Sequence, residues 1–354
     1  QAYLVGRSNG FLTNLYQKFI TKQINLNPYF RWKQQIIDDT LRDLADHIDI
    51  PVEDALFHFD KGKVTEFKPS KDGRRLNQNE AKKRITDAFF QAATTSQQRI
   101  IVSLPVEVVY PSTNTSNANS FGIKELIGKG YSEFEGSIPG RVHNVALAAS
   151  RINGILIKPG ETFSFVTAIG DISAATGYQS AYIIKDGRTV LGDGGGVCQV
   201  STTLFRAAMD AGLPIVERHA HAYRVHYYEE AGYAPGIDAT VFTPSVDLKI
   251  QNDTASYILI QAKPDIKNLA LTFELYGTKD GRKSQVNNFK LWDQTAPPAP
   301  LYQDDPTLRK GIVKQVDFAA WGAKASFQYK VTRGDEVLQD TTFFSYFRPW
   351  QAVY

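Results

Sequence analysis

The sequence predicts an α+β fold in two or three domains, and three observations carry that expectation. The chain has 354 residues, more than one compact core ordinarily organises. Stretches with helical spacing of apolar residues alternate with short β-like runs, and the pattern turns mostly β after Val216. Two stretches without apolar periodicity, Pro111–Ser120 and the Pro-rich Ala296–Pro300, break the chain into segments. A hydrophobic content of 42% against 22% charged residues is that of a globular chain rather than a disordered one.

Taken in order, residues 1–24 read as a polar, partly helical lead-in. An α+β module follows over 25–111. In it Ile36, Ile37, Leu41, Leu44 and Ala45 give Gln34–His47 a helical period. Ala55–Phe59 and Lys63–Pro69 read as strands. Asn77–Ala93 reads as a second helix, with Asn77 as N-cap and Glu80 three residues on. Gln98–Tyr110 alternates as a strand. Residues 112–120 form a linker, and a central domain runs from 121 to 277. The central domain is predicted to pack a helix, with a cysteine at its N-terminus, on a mostly antiparallel sheet. Its helices are Val142–Asn153 and Val200–Ala211; Ile155–Phe165 is strand-like around Pro159-Gly160. Strands are expected at Val225–Tyr228, Ala239–Phe242, Val246–Ile250, Tyr257–Lys263 and Leu269–Tyr276. A Pro-containing linker over 278–307 leads to a small β element over 308–354.

The chain's single cysteine, Cys198, lies in Gly194-Gly195-Gly196-Val197-Cys198-Gln199-Val200-Ser201-Thr202-Thr203. Three glycines lead directly into a helix, with the thiol in its first turn. A helix N-terminus offers unpaired N–H groups and a positive dipole end, which stabilise a thiolate. Gly195 and Gly196 keep side chains away from the approach, so a carbonyl can reach both sulfur and backbone donors. Downstream, Arg218-His219-Ala220-His221 supplies candidate bases. The competing assignment is a small buried hydrophobe, the commonest state of a lone cysteine.

Composition narrows the partners. With a net charge of +3 and no Lys/Arg run, nucleic acid is not expected. One cysteine excludes an intramolecular disulfide framework. No Cys-x-x-Cys or His-Glu-x-x-His spacing occurs, so neither metal nor cofactor is expected. No apolar run reaches the ~20 residues of a membrane helix. The first residue is Gln rather than Met, which reads as a trimmed or processed chain from which any anchor would have been removed.

Residues 141–277 resemble the VanW family of bacterial cell-envelope proteins. The matching pieces are Arg141-Val142-His143-Asn144, Pro159-Gly160-Glu161-Thr162-Phe163-Ser164-Phe165, Gly194–Thr203, Glu217–His221, Gly236–Val241 and Tyr276-Gly277. Residues 25–110 are similar to the peptidoglycan-binding module that often precedes this domain, through Glu53-Asp54-Ala55, Lys61–Val64 and Ser103-Leu104-Pro105. The tail from Gly334 is similar to the β extension of some members. One departure is the long link Tyr227–Pro235 between the histidine motif and Gly-x-Asp.

Some members of that family are described as cysteine L,D-transpeptidases of peptidoglycan. The resemblance therefore implies a wall-associated enzyme, extracytoplasmic, acting on stem peptides, with glycan as a further partner. On that expectation Cys198 is the nucleophile, His221 the general base and then acid, and Asp238 the group that orients the imidazole. His219, two residues from His221, would share its face on a strand. Backbone N–H groups of Cys198 and Gln199 would receive the oxyanion. Ser201 and Thr202 are open to substrate contact or to hydrogen bonding within the helix. Arg218 is open to binding a stem carboxylate or to surface pairing. Asp238 alternatively holds a turn, and His143 and His226 are expected to cap or pack. Hydrolysis of stem peptides, and wall binding without catalysis, are the competing functions.

Overall fold

The computed structural model describes residues 10–19, 33–94, 99–111, 121–185, 188–306 and 308–354. The linker expected over 112–120 lies outside them, as do residues 1–9 and 20–24 of the lead-in. The chain divides into two units, one of residues 1–52 and 72–110 and the other of 53–71 and 111–354. The elements begin with α1 (Phe11–Phe19), α2 (Gln34–Ile48), β1 (Leu56–Asp60), β2 (Lys63–Lys68), β3 (Gly73–Leu76), α3 (Gln78–Thr94) and β4 (Val106–Val109).

In the first unit, α2 buries Leu41 and Ala45 with Leu76 and Ala81, the contact its apolar period foretells. The Asn77 side chain accepts the Glu80 N–H at 3.0 Å, so α3 starts with the expected cap. β3 and β4 pair antiparallel.

The second unit continues with β5 (Glu125–Glu133), α4 (Pro139–Ile152), β6 (Leu156–Ile157), β7 (Thr162–Ser164), α5 (Phe165–Ile169), β8 (Ser180–Lys185), β9 (Arg188–Asp193) and α6 (Val197–Asp210). After these come β10 (Ile215–Glu217), β11 (Lys249–Gln251), β12 (Ile258–Asp265), β13 (Ala270–Gly277), β14 (Arg282–Thr295), β15 (Gly322–Arg333) and β16 (Glu336–Phe347). The main sheet has the order β5-β13-β12-β6, antiparallel throughout. Helices α4 and α6 lie on it. The hairpin β1–β2 belongs to this unit, where Phe57 packs edge-on against Phe121 with ring centroids 5.4 Å apart. The β14-β15-β16 sheet is also antiparallel and packs Phe327, Tyr329 and Val331 into the central core.

Helix α6 is buried nearly all round, from Val197 to Met209. It sits so close to β5 because that strand presents glycine where it passes beneath. A Cβ on Gly130 would stand 2.1 Å from the Thr203 carbonyl oxygen, and one on Gly128 2.6 Å from that of Ala207. Backbone therefore packs on backbone, and the small residues of α6 fill what remains.

Four elements differ from the sequence reading. Ala239–Phe242 forms only isolated bridges, Thr240 to His219 and Phe242 to Val246, rather than a strand. His226–Tyr228 forms a 3-10 turn rather than a strand. Its Tyr228 carbonyl accepts from Arg206 Nη2 at 2.5 Å, a side-chain bond in place of a ladder bond. Phe165 ends no strand; it opens α5, where Ser164 Oγ accepts the Thr167 N–H at 3.1 Å. Residues 282–295, read as part of a link, form the long strand β14. Its residues are half-buried or exposed throughout, so it carries little of the apolar alternation that marks a strand in sequence.

Candidate functional site

The site begins with the turn that launches α6. Gly196 adopts φ +109° at the N-cap, and a Cβ there would meet the Arg141 carbonyl oxygen and Val145 at 3.0 Å. Only glycine suits both the conformation and the space. Cys198, second residue of the helix, is partly exposed. Its Sγ lies 3.4 Å from Thr240 Oγ1 and 3.6 Å from the Val241 carbonyl oxygen. The His221 imidazole stands within electrostatic reach of the thiol.

His221 is held from behind. Its Nδ1 is 2.5 Å from Asp238 Oδ2, and its backbone N–H donates to the same oxygen at 2.9 Å. Engagement of Nδ1 leaves Nε2 as the ring nitrogen for sulfur. The Tyr228 ring covers the imidazole, with centroids 4.7 Å apart. The second Asp238 oxygen lies 3.3 Å from Arg218 Nη2. The segment bearing Asp238 and Thr240 is pinned to α6: Ser201 Oγ donates to the Ala239 carbonyl at 2.7 Å, and the Ala239 N–H donates to Thr202 Oγ1 at 3.1 Å.

Electrostatics follow this geometry. Burial pushes the Cys198 thiol up, but the His221 imidazolium, with Thr240 and Val241, outweighs it and the pKa falls below its ordinary value. Burial pulls His221 down; the Asp238 carboxylate and the thiolate more than reverse this, raising it to about 10. Burial opposes ionisation of Asp238, yet His221 and Arg218 bring it down to about 2. Each of the three groups is therefore shifted towards its charged form, thiolate, imidazolium and carboxylate.

The sequence-predicted residues separate into two groups. Cys198, His221 and Asp238 come together, and Ser201 and Thr202 brace the segment behind them through Ala239. The others serve elsewhere. His219 points outward to Glu217 Oε1 at 3.2 Å, because the chain leaves its bridge to Thr240 at this point and no strand carries both histidines on one face. Arg218 takes neither role considered for it. Its side chain is 1% exposed and donates to the Gly236 and Asp238 carbonyls at 2.6 and 2.7 Å. The Gln199 side chain is buried between Arg141 Nη2, at 2.9 Å, and the Glu133 carbonyl, at 3.0 Å. Gly195 accepts the Asn144 amide at 3.0 Å. His143 reaches the Gly177 carbonyl at 2.9 Å, and His226 is solvent-exposed.

Sequence reasoning passed over Thr240, Tyr228 and Arg141. Arg141 stacks on Tyr227, 4.7 Å from the ring centroid, so the long 227–235 link supplies aromatic cover to the site. Arg141 and Thr240 stand within the Arg141–Asn144 and Gly236–Val241 pieces, which is the signal that could have found them, whereas Tyr228 lies in the long link and carries none.

A groove of about 670 Å³ runs along His219–Ala222, walled opposite by Lys324, Phe344, Tyr346 and Arg348. A second hollow, between His221, Tyr228 and Asp238, measures only about 10 Å³ and has room for one water at most. Among the described residues no three His, Cys, Asp or Glu side chains are placed to hold a metal ion. No described helix is long and apolar enough to cross a membrane.

Comparison with known proteins finds two matching families, and the match nearer the N-terminus takes in the hairpin of residues 53–71 that belongs to the second structural unit. Residues 140–276 match the family described as VanW like protein, and residues 1–96 match the "Putative peptidoglycan binding domain". The chain is 38% identical over 162 residues to the Uncharacterized protein YoaR of Bacillus subtilis (strain 168), covering 46% of this chain and 52% of that protein. It is 37% identical over 114 residues to the Vancomycin B-type resistance protein VanW of Enterococcus faecalis (strain ATCC 700802 / V583), covering 32% of this chain and 42% of that one. The chain thus spans about half the length of the curated relatives it matches. No solved structure matches it significantly. The chain carries a VanW domain over 140–276 and an N-terminal domain of the peptidoglycan-binding type over 1–96.

Proposed function

We propose that the VanW domain of this chain is a peptidoglycan L,D-transpeptidase working through a Cys198 thioester. The observation that carries the reading is the Cys198–His221–Asp238 series at the N-terminus of α6. The match to a peptidoglycan-binding domain supports peptidoglycan as the partner.

In this mechanism the Cys198 thiolate attacks the donor-stem carbonyl carbon, forming the C–S bond. The oxyanion is received at the Cys198 N–H in the first helical turn. The Gln199 N–H, expected to share that task, is turned onto the Gly196 carbonyl at 3.0 Å. As the tetrahedral centre collapses, the C–N bond breaks and His221 Nε2 gives its proton to the leaving amine of the D-residue. His221, now neutral, takes a proton from the acceptor amine as that amine attacks the thioester. The C–S bond breaks, the thiolate returns, and the stems are joined. Asp238 keeps Nδ1 protonated throughout and stabilises the imidazolium.

Purified protein and its Cys198→Ala variant, incubated with defined muropeptides and followed by mass spectrometry, test this. The expected product is a dimer lacking one terminal D-residue, formed by the parent alone. Shortened stems without dimers would replace transfer by hydrolysis. Turnover by Cys198→Ala would remove the nucleophile assignment. Sacculus binding that is equal in both proteins, with no product from either, would leave a wall-binding module.

A further inference from the structure

The sheet β14-β15-β16 lies outside residues 140–276, yet β16 reaches the site through Arg218. This guanidinium is buried and shares its donors between two segments. Towards the site it meets the Gly236 and Asp238 carbonyls at 2.6 and 2.7 Å and Asp238 Oδ1 at 3.3 Å. Towards β16 it donates to the Phe344 carbonyl and Ser345 Oγ, both at 3.1 Å. The loop past His221 is tied to the same strand end. The Arg348 N–H donates to the Ala222 carbonyl at 2.8 Å, and Tyr223 stacks on Trp350 with centroids 4.7 Å apart. Gly236 makes room for this approach, since a Cβ there would stand 3.2 Å from Ser345 Oγ.

A buried cation needs its acceptors, and removing some of them lets it shift or hydrate. We propose that β16 is a positioning part of the site: Phe344 and Ser345 hold Arg218, and Arg218 fixes the Asp238 carboxylate against His221. The inference rests on Cys198, His221 and Asp238 forming the acyl-transfer site. It makes Arg218 and Ser345 positioning residues that touch no substrate. It also makes the C-terminal sheet a working part of the enzyme rather than an appendage. Of the other titratable groups, Tyr228 of the link faces the thiol and the imidazole and is itself flanked by Tyr227 and by Arg141 of α4, while Arg206 of α6 faces Asp238.

The test is the pH profile of Cys198 alkylation by iodoacetamide on the native full chain, with circular dichroism confirming the fold. Ser345→Ala and Arg218→Lys are compared with Asp340→Ala, which alters β16 at an exposed pair with Gln328. The parent is expected to alkylate with a midpoint below the ~8.5 of a free thiol. Ser345→Ala and Arg218→Lys should raise that midpoint and slow alkylation at pH 6.5 about three- to tenfold. Asp340→Ala should keep the parent midpoint even where its melting temperature falls. If native Ser345→Ala and Arg218→Lys both keep the parent profile, β16 is scaffold only and the inference fails. A parent midpoint near 8.5 would remove the activated thiol itself, and with it the acyl-transfer reading. Shifted midpoints without any muropeptide turnover would leave the positioning role standing and sink the transpeptidase.

Discussion

The two halves of the site are built in opposite ways. The half that holds the proposed nucleophile is local: Gly196, Cys198, Ser201 and Thr202 fall within seven consecutive residues, on a helix buried nearly all round. The base half is assembled from Arg218, His221, Asp238, Thr240 and Ser345, drawn from a loop, a turn and a distant strand. The helix supplies rigidity by burial, and the loop half acquires it by hydrogen bonds to buried polar groups. In the proposed reaction the first half would supply the one fixed atom and the second the tuned proton, each added partner adjusting a charge.

The sharpest way to break this comparison is at the proton. His221→Gln keeps a polar side chain but no titrating ring, and transfer should fall about 10²- to 10⁴-fold. A product-formation rate within threefold of the parent would show that the loop half does not tune the thiol. Next comes the helix. Gly130→Ala forces a methyl group into the α6 backbone, and overpacking of this kind costs about 1–3 kcal/mol. Chemical denaturation should show that loss, whereas an unchanged midpoint would mean that α6 can slide on β5.

Smaller effects belong to pH. Asp238 is depressed to about 2, so its contribution is present above the unfolded value of ~3.9 and is lost as pH falls through about 2. His221 is raised to about 10, so its contribution is full below ~6.5 and is lost as pH rises through about 10. Melting temperatures should therefore decline on both flanks, and Asp238→Asn should flatten both declines. A parent curve no steeper than that of the variant would deny the ion pair. The smallest effect is expected at His219→Ala. Its ring faces Glu217 and solvent, so transfer should stay within about twofold of the parent.

The same contrast decides what could be read in the sequence. The helix bearing Cys198 was legible because glycines, cysteine and an apolar face follow one another in sequence. So was the Asn77 cap, a contact spanning three residues. The role of Arg218 was not, because its acceptors include Phe344 and Ser345, more than 120 residues away. Nor was β14, whose inward residues are only half-buried and whose pairing with β15 is set by hydrogen bonds that polar residues make equally well. His219 and His221 look equivalent in sequence. They part because one sits in a bridge to Thr240 while the other leaves it.

Cys198 is the chain's only cysteine, and it is partly open to solvent. The thiolate of the proposed enzyme would also be open to a peroxide, because oxidation to a sulfenic acid follows thiolate character and exposure. With no second cysteine in this chain to condense with, such damage would have to be reversed by an outside reductant. On the proposed function, the exposed thiol that would make the site reactive also ties its working life to the redox state of its surroundings.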